Sequence, residues 1–152
     1  MEFDSIDRKL IFLLQKNSKV TTKQLSLELN LSVTAVYERI KKLERVGVIE
    51  KYVAVINKEM IDKSFVVFCH IKLVQHSNKY ITKFEADVVQ LEEVLECYNV
   101  SGEYDYILKV VVKNMRAYRN FINLKLTTLD YIGSTHSIFI ISELKNSTEV
   151  YI

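Results

Sequence analysis

The sequence of 152 residues contains no proline, only two cysteines and no long apolar run. A membrane-spanning helix needs about 20 consecutive apolar residues, so none is expected. The N-terminal stretch MEFDSIDRKL is acidic and amphipathic rather than basic and then apolar, which is unlike a secretory signal. Cys69 and Cys97 lack the spacing of a zinc site and are expected to be reduced. These features predict a cytoplasmic globular protein.

Residue types that carry catalysis or bind metals are also scarce. The histidines are His70, His76 and His136, and their spacing matches no metal site. Neither paired carboxylates nor a nucleophile–base motif is visible. We therefore expect no enzymatic activity, no metal and no cofactor.

The net charge is only +2, but it is unevenly distributed. Residues 1–57 hold ten Lys and Arg against seven Asp and Glu, whereas residues 58–152 hold eleven against twelve. This excess weakly favours an anionic partner for the first part of the chain.

Residues 1–57 show helical spacing of apolar residues in three successive segments. Only about two residues separate the second segment from the third, and two helices joined by a tight turn behind a first helix are typical of a helix-turn-helix domain. The next stretch, VIEKYVAVIN, alternates and is rich in β-branched residues, which predicts a strand or small wing. The candidate helix caps and stops are, in chain order, Ser5, Thr21 or Thr22, Asn30, Ser32 or Thr34, and Gly47.

The third helix is the candidate DNA-reading element. If Val36, Ile40 and Leu43 face the core, the charged run of this helix faces outward. Recognition helices contact bases mainly through their N-terminal residues, with phosphates held around them. The alternative is an ordinary solvated, charged helix face. We expect Ser32, Thr34, Tyr37 and Glu38 to face bases, and Thr22, Arg39, Lys41 and Lys42 to face the phosphate backbone.

The second part of the chain predicts a repeated β-α-β pattern after a polar linker at residues 58–64. Strands are expected over 65–74, 93–100, 104–112 and 133–144, with helices over 77–90 and 115–129. This order is the split βαβ, or ferredoxin-like, arrangement, with both helices on one face of an antiparallel sheet. Many residues on both faces are apolar, so the uncovered face is expected to pack against a second subunit.

The connection SGEYDY at residues 101–106 contains Gly102 followed by the carboxylate of Asp105. Glycine permits backbone geometry that other residues avoid. This segment is either a plain hairpin turn or a ligand-binding loop.

Four segments in the correct order resemble the Lrp/AsnC (leucine-responsive/asparagine-responsive) family of bacterial and archaeal regulators. FDSIDRKLIFLLQKNSKVTTKQLSLELNLS is similar to the family's opening, and VYERIKKLERVGVIEKYVAVIN to its recognition helix and following strand. GEYDYILKV resembles its hairpin and STHSIFIISELK its last strand. The resemblance runs from about Phe3 to Ile152.

The resemblance implies an α+β protein that regulates transcription. It implies a winged-type helix-turn-helix domain at residues 1–57, a linker at 58–64, and a ferredoxin-like (βαββαβ, ACT-like) domain at 65–152. Double-stranded DNA, a small effector that is expected to be an amino acid, and a second copy of the chain are the implied partners, with octamers as a further assembly. The implied effector-binding residues are Gly102, Tyr104, Asp105, Thr135, His136 and Ser137.

Other interpretations remain for parts of this pattern. His136 is either a satisfied polar residue on a strand or a ligand contact or pH-sensitive interface group. The whole chain could be a sensing partner that has lost DNA binding, or an enzyme similar to haem-precursor decarboxylases that share the architecture.

Overall fold

The computed structural model describes residues 2–152, so the predicted start of the first domain, Met1, lies outside the described residues. Residues up to Val55 together with Leu144–Ile152 form one unit, and Ile56–Glu143 form a second. Each unit has its own hydrophobic core.

Three helices build the first unit: α1 (Ser5–Lys16), α2 (Thr22–Leu29) and α3 (Val33–Arg45). Each carries apolar residues three or four positions apart, so that each buries one stripe. The predicted helix-turn-helix architecture is confirmed. The stripes meet in a core formed by Leu10, Ile11, Leu14, Leu25, Leu29, Val36 and Leu43.

Local hydrogen bonds set the helix ends. The Thr21 side chain accepts the backbone N–H of Gln24 at 3.2 Å, and Ser32 accepts that of Ala35 at 3.1 Å. Asn30 ends α2 in the left-handed region with φ 53°, as predicted. The first cap is Asp4 rather than the predicted Ser5, because the Asp4 carboxylate accepts the backbone N–H of Asp7 at 2.7 Å.

The predicted strand over residues 48–57 is wrong. These residues form no helix or strand, and most of them are exposed. The backbone N–H groups of Val48 and Ile49 instead donate to the carbonyl of Leu43 and close the end of α3. The alternating pattern describes an extended backbone, but a strand also needs a neighbouring backbone to pair with.

The second unit contains the four strands and two helices of the predicted βαββαβ order. A 3-10 turn, Glu59–Ile61, lies within the predicted linker. The strands and helices are β1 (Phe65–Leu73), α4 (Asn78–Val88), β2 (Val94–Asn99), β3 (Tyr106–Val112), α5 (Met115–Leu124) and β4 (Ile132–Phe139), with a 3-10 turn at Leu126–Thr128 between α5 and β4.

The sheet is antiparallel in the order β2-β3-β1-β4. The inward residues of the central strands are fully buried, for example Cys69 on β1 and Leu108 on β3, which lie opposite each other. They pack with Phe84 of α4 and Phe121 of α5 in one cluster. The two helices therefore cover one face of the sheet, as the repeated pattern predicted.

Strand β4 ends at Phe139 and not at the predicted Leu144. It lies at the sheet edge and pairs only with β1, whose residue Val67 is opposite Phe139. Because β1 begins two residues before Val67, almost no backbone remains for β4 to continue along.

The uncovered face of the sheet, called the open face below, is largely apolar. It consists of the strand residues that alternate with the residues buried under the two helices. They are half-buried in the centre and more exposed at the edge, where Ile138 is 44% exposed. The open-face residues of the central strands and β4 include Val66, Phe68, His70, Ile107, Lys109, Val111, His136 and Ile138.

We expect Phe84→Ala to lower the free energy of unfolding by about 3–5 kcal/mol, as is usual for emptying a buried aromatic site. Phe84 is fully buried, with its ring centroid 4.5 Å from that of Tyr106 and 6.1 Å from that of Tyr131. Urea unfolding at fixed protein concentration measures the change. Leu124→Ala is the control, because Leu124 is 70% exposed and its loss should change the value by no more than about 0.5 kcal/mol. Equal effects of the two substitutions would contradict this packing.

Candidate functional site

The N-terminal half of α3 presents a surface without basic side chains. Ser32, Thr34 and Glu38 are exposed, and Tyr37 is 48% exposed. All four were predicted to face bases. Val33 is also 48% exposed on the first turn, and the sequence prediction did not include it. Its spacing of four residues from Tyr37 was the signal that could have found it.

Thr22 is the first residue of α2 and is half-buried. It therefore lies at the helix end next to the cap Thr21. This position is compatible with the predicted contact to a phosphate, since phosphates are bound at helix N-termini.

The two exposed lysines in the second half of α3 differ in their surroundings. The Lys41 amine lies 2.7 Å from the Glu44 carboxylate and 5.8 Å from the centre of the Tyr37 ring. The hydrogen bond to Glu44 raises the pKa of Lys41. Among residues 2–152, Lys42 and Arg45 make no ion pair. They are the free cations of this surface.

Arg39 is held by two carboxylates from the start of α1. Its Nη1 atom lies 2.8 Å from Asp4 Oδ2 and 2.6 Å from Asp7 Oδ1. The side chain of Asp7 is only 5% exposed and that of Arg39 29% exposed. Arg39 thus joins α3 to α1, and this differs from the predicted contact with the phosphate backbone.

The charges of this cluster support one another. The backbone N–H of Asp7 and then the Arg39 guanidinium lower the pKa of Asp4. The hydrogen bonds to Asp4 and Asp7 raise the pKa of Arg39. Sequence reasoning missed the cluster because the acidic residues stand more than 30 positions before their partner.

The connection between β2 and β3 is a defined loop. The backbone N–H of Val100 donates to the carbonyl of Asp105 at 2.9 Å, and the N–H of Asp105 donates to that of Ile71 at 2.9 Å. Gly102 has φ +135°, and a Cβ added to it would meet nothing within 4 Å. The backbone conformation rather than lack of space therefore requires glycine here.

Asp105 is buried and its carboxylate is already bonded. Oδ2 accepts the backbone N–H of Leu73 at 2.7 Å, at the end of β1. Oδ1 lies 3.0 Å from Nε2 of His76, whose side chain is 68% exposed. Asp105 therefore attaches the loop to β1, and its Oδ1 atom faces the exposed side chain of His76.

Tyr104, His70 and His136 form an aromatic cluster on the open face. The Tyr104 ring centroid is 4.9 Å from that of His70 and 6.0 Å from that of His136. The two histidines lie directly opposite each other on β1 and β4. The Nδ1 atom of His70 is buried without a hydrogen-bond partner in the described part of the chain. The structure thus adds His70 and His76 to the residues around the predicted loop.

Thr135 and Ser137 lie on the other face of the sheet from His136. They are opposite Ile71 and Cys69, whose side chains belong to the helix-covered core. The Ser137 hydroxyl is 2.5 Å from that of Tyr118 on α5. Of the three β4 residues predicted to bind an effector, the structure brings only His136 beside Tyr104.

No group of three or more His, Cys, Asp or Glu residues suited to holding a metal ion is found within residues 2–152. Over the same residues, every helix is too short or too polar to cross a membrane.

Two family models match this chain in the order of its units. Residues 3–50 match a winged helix-turn-helix DNA-binding model, and residues 66–150 match the Lrp/AsnC ligand binding domain. Together they extend over most of the chain.

Individual relatives match along almost the whole length. The leucine-responsive regulatory proteins of Salmonella typhimurium and Escherichia coli K12 are each 36% identical over 151 residues, covering 99% of this chain and 92% of the relative. A transcriptional regulator of Neisseria meningitidis in complex with L-Met superposes with a TM-score of 0.94 at 28% identity, covering 98% of this chain and 96% of that one. An AsnC family transcriptional regulator from Agrobacterium tumefaciens superposes with a TM-score of 0.92 at 32% identity, covering 97% and 96%. The chain belongs to the Lrp/AsnC family of transcriptional regulators.

Proposed function

We propose that this protein is a sequence-specific DNA-binding regulator of transcription whose DNA affinity or oligomeric state responds to an amino acid. The observation that carries the proposal is the exposed face of α3 within a helix-turn-helix unit. Four side chains suited to base edges lie there beside two free cations, Lys42 and Arg45. The names of the relatives, one leucine-responsive and one crystallised with L-Met, support an amino acid as the effector class.

The exposed face divides into two parts with different roles. The first turns of α3 enter the major groove, where recognition helices contact base edges. Lys42 and Arg45 bind phosphates. Arg39 does not contact DNA; its pairing with Asp4 and Asp7 holds α3 against α1 and so orients the helix.

Lys42→Ala should weaken binding to every DNA sequence and reduce the slope of log K against log salt concentration by about 0.9, because one phosphate contact no longer releases a counterion. The measurement is fluorescence anisotropy with the duplex upstream of the protein's own gene and with a random duplex, at several salt concentrations.

Arg39→Ala is the matched comparison, since it removes one positive charge from the same helix. It should lower the urea midpoint of unfolding but leave the salt slope unchanged. If Arg39→Ala reduced the slope as much as Lys42→Ala, Arg39 would be a phosphate contact and its orienting role would be wrong. An unchanged affinity in Lys42→Ala would contradict the proposed docking of α3.

We place the effector at the β2–β3 loop, beside Tyr104 and His136. The carboxylate of an amino acid suits backbone N–H groups at a glycine turn, and Gly102 provides such a turn in this exposed loop. The ammonium suits Asp105 Oδ1, from which the exposed His76 can withdraw. Thr135 and Ser137 support this site from the covered face without contacting the effector.

Tyr104→Ala should raise the concentration of amino acid needed for half of the response by about two- to tenfold, the usual worth of an aromatic contact. Basal DNA binding should be unchanged. The assay adds each of the twenty amino acids in turn to the protein–DNA complex and then titrates the active one.

Asp105→Asn is the second variant, and it should abolish the response while the loop keeps its place. An asparagine oxygen can still accept the N–H of Leu73, but the negative charge that would bind the ammonium is lost. Ser101→Ala, an exposed neighbour in the same loop, is the control. An unaltered response in both Tyr104→Ala and Asp105→Asn would exclude this loop as the effector site.

A homodimer formed through the open face completes the proposal. Five apolar side chains lie on this face, namely Val66, Phe68, Ile107, Val111 and Ile138. Apolar surfaces of this kind mark interfaces, and closed two-fold dimers are the commonest solution. A dimer also supplies two copies of α3, which two half-sites in DNA require.

Ile138→Lys should weaken dimerisation by about two orders of magnitude or more, because an uncompensated charge buried in an interface costs several kcal/mol. Analytical ultracentrifugation over a range of concentrations measures the change. Leu124→Lys, on a helix that covers the other face, should retain the dimer. A dimer that survives Ile138→Lys would place the subunit contact elsewhere.

A further inference from the structure

The base-facing half of α3 lacks the side chains that usually identify purines. Bidentate recognition of guanine uses Arg or Lys, and that of adenine uses Asn or Gln. None of these four residue types occurs between Ser32 and Glu38. Sequence discrimination by this surface therefore depends on another kind of contact.

Val33 and Tyr37 provide an apolar contact surface in this half of the helix. Each is 48% exposed, although both are large hydrophobic side chains. They lie four residues apart, which puts them on the same side of α3 one turn from each other. The remaining exposed groups nearby are the hydroxyls of Ser32 and Thr34 and the carboxylate of Glu38.

The Tyr37 ring also has a charged side chain beside it within α3. The Lys41 amine lies 5.8 Å from its centroid. Lys41 is in turn held by Glu44 at 2.7 Å, and the Tyr52 hydroxyl donates to the same carboxylate at 3.1 Å. An ordered ring loses less conformational freedom on contact than a free one.

We infer that Val33 and Tyr37 read the C5-methyl groups of thymine in the major groove. The thymine methyl is the apolar group that a base pair presents there, and apolar side chains contact it directly. This inference rests on the proposed function, because it specifies what α3 recognises. The protein selects thymine at these positions by burying its methyl group against the two side chains.

The test compares thymine with deoxyuridine, which pairs identically and keeps O4 but has no C5-methyl group. A preferred duplex is first selected by the full-length protein from a random pool. The thymines of that duplex are then replaced by deoxyuridine one at a time, at the same position in both half-sites. At each position, the affinity for the thymine duplex is divided by the affinity for the deoxyuridine duplex. This ratio is measured for the unaltered protein, for Val33→Ala and for Tyr37→Ala. Leu27→Ala is the control, because it removes an apolar side chain that is 76% exposed on α2.

The unaltered protein should lose about fourfold in affinity for each buried methyl removed. Val33→Ala and Tyr37→Ala should each bring the ratio close to one at a particular position, whereas Leu27→Ala should leave every ratio intact. Val33→Thr keeps one methyl group and Tyr37→Phe keeps the ring, so these two should retain discrimination. They also serve if either alanine variant fails to fold.

If the unaltered protein gave affinity ratios near one at every thymine of the duplex, the inference would be wrong. The selected duplex would still support the proposed function. Ratios that persist in both alanine variants would overturn the inference equally, since another side chain would then contact the methyl groups. A pool that yields no preferred duplex would overturn the proposed function itself, and the inference with it.

Discussion

The covering of the sheet on one face only is the constraint on which the second unit depends. Strand residues alternate between the two faces of the sheet. The register in which neighbouring strands pair therefore sets which side chains lie on each face and which ones they contact. Cys69 and Ile71 of β1 are buried under the helices, while Phe68 and His70 lie on the open face. The same alternation makes one surface the core and the other, still apolar, the candidate subunit contact.

The first unit depends on a buried charge. The Asp7 carboxylate is almost completely removed from water, and such a group is stable only when an opposite charge and hydrogen bonds compensate it. Arg39 supplies both, with Asp4 as a second partner. The consequence reaches the exposed face of α3, because Arg39 is paired with α1, whereas Lys42 and Arg45 make no ion pair within residues 2–152.

Both candidate sites lie where regular backbone begins or ends. Ser32 caps α3 two residues after the left-handed Asn30, and Gly102 lies within the β2–β3 loop with a positive φ. At such positions, backbone N–H groups are not used in the hydrogen bonds of helices or between strands, so a binding partner can reach them. The rigid elements behind them, a three-helix core and a four-stranded sheet, supply the precision.

The sequence by itself determined what depends on neighbours along the chain. The caps at Thr21 and Ser32 and the order of the strands follow from local hydrogen bonds and from spacing. Tertiary structure alone decided the pairing of Arg39 with α1 and the lack of a strand over residues 48–57. These depend on which distant backbone or charge lies opposite, and spacing within one segment carries no information about that.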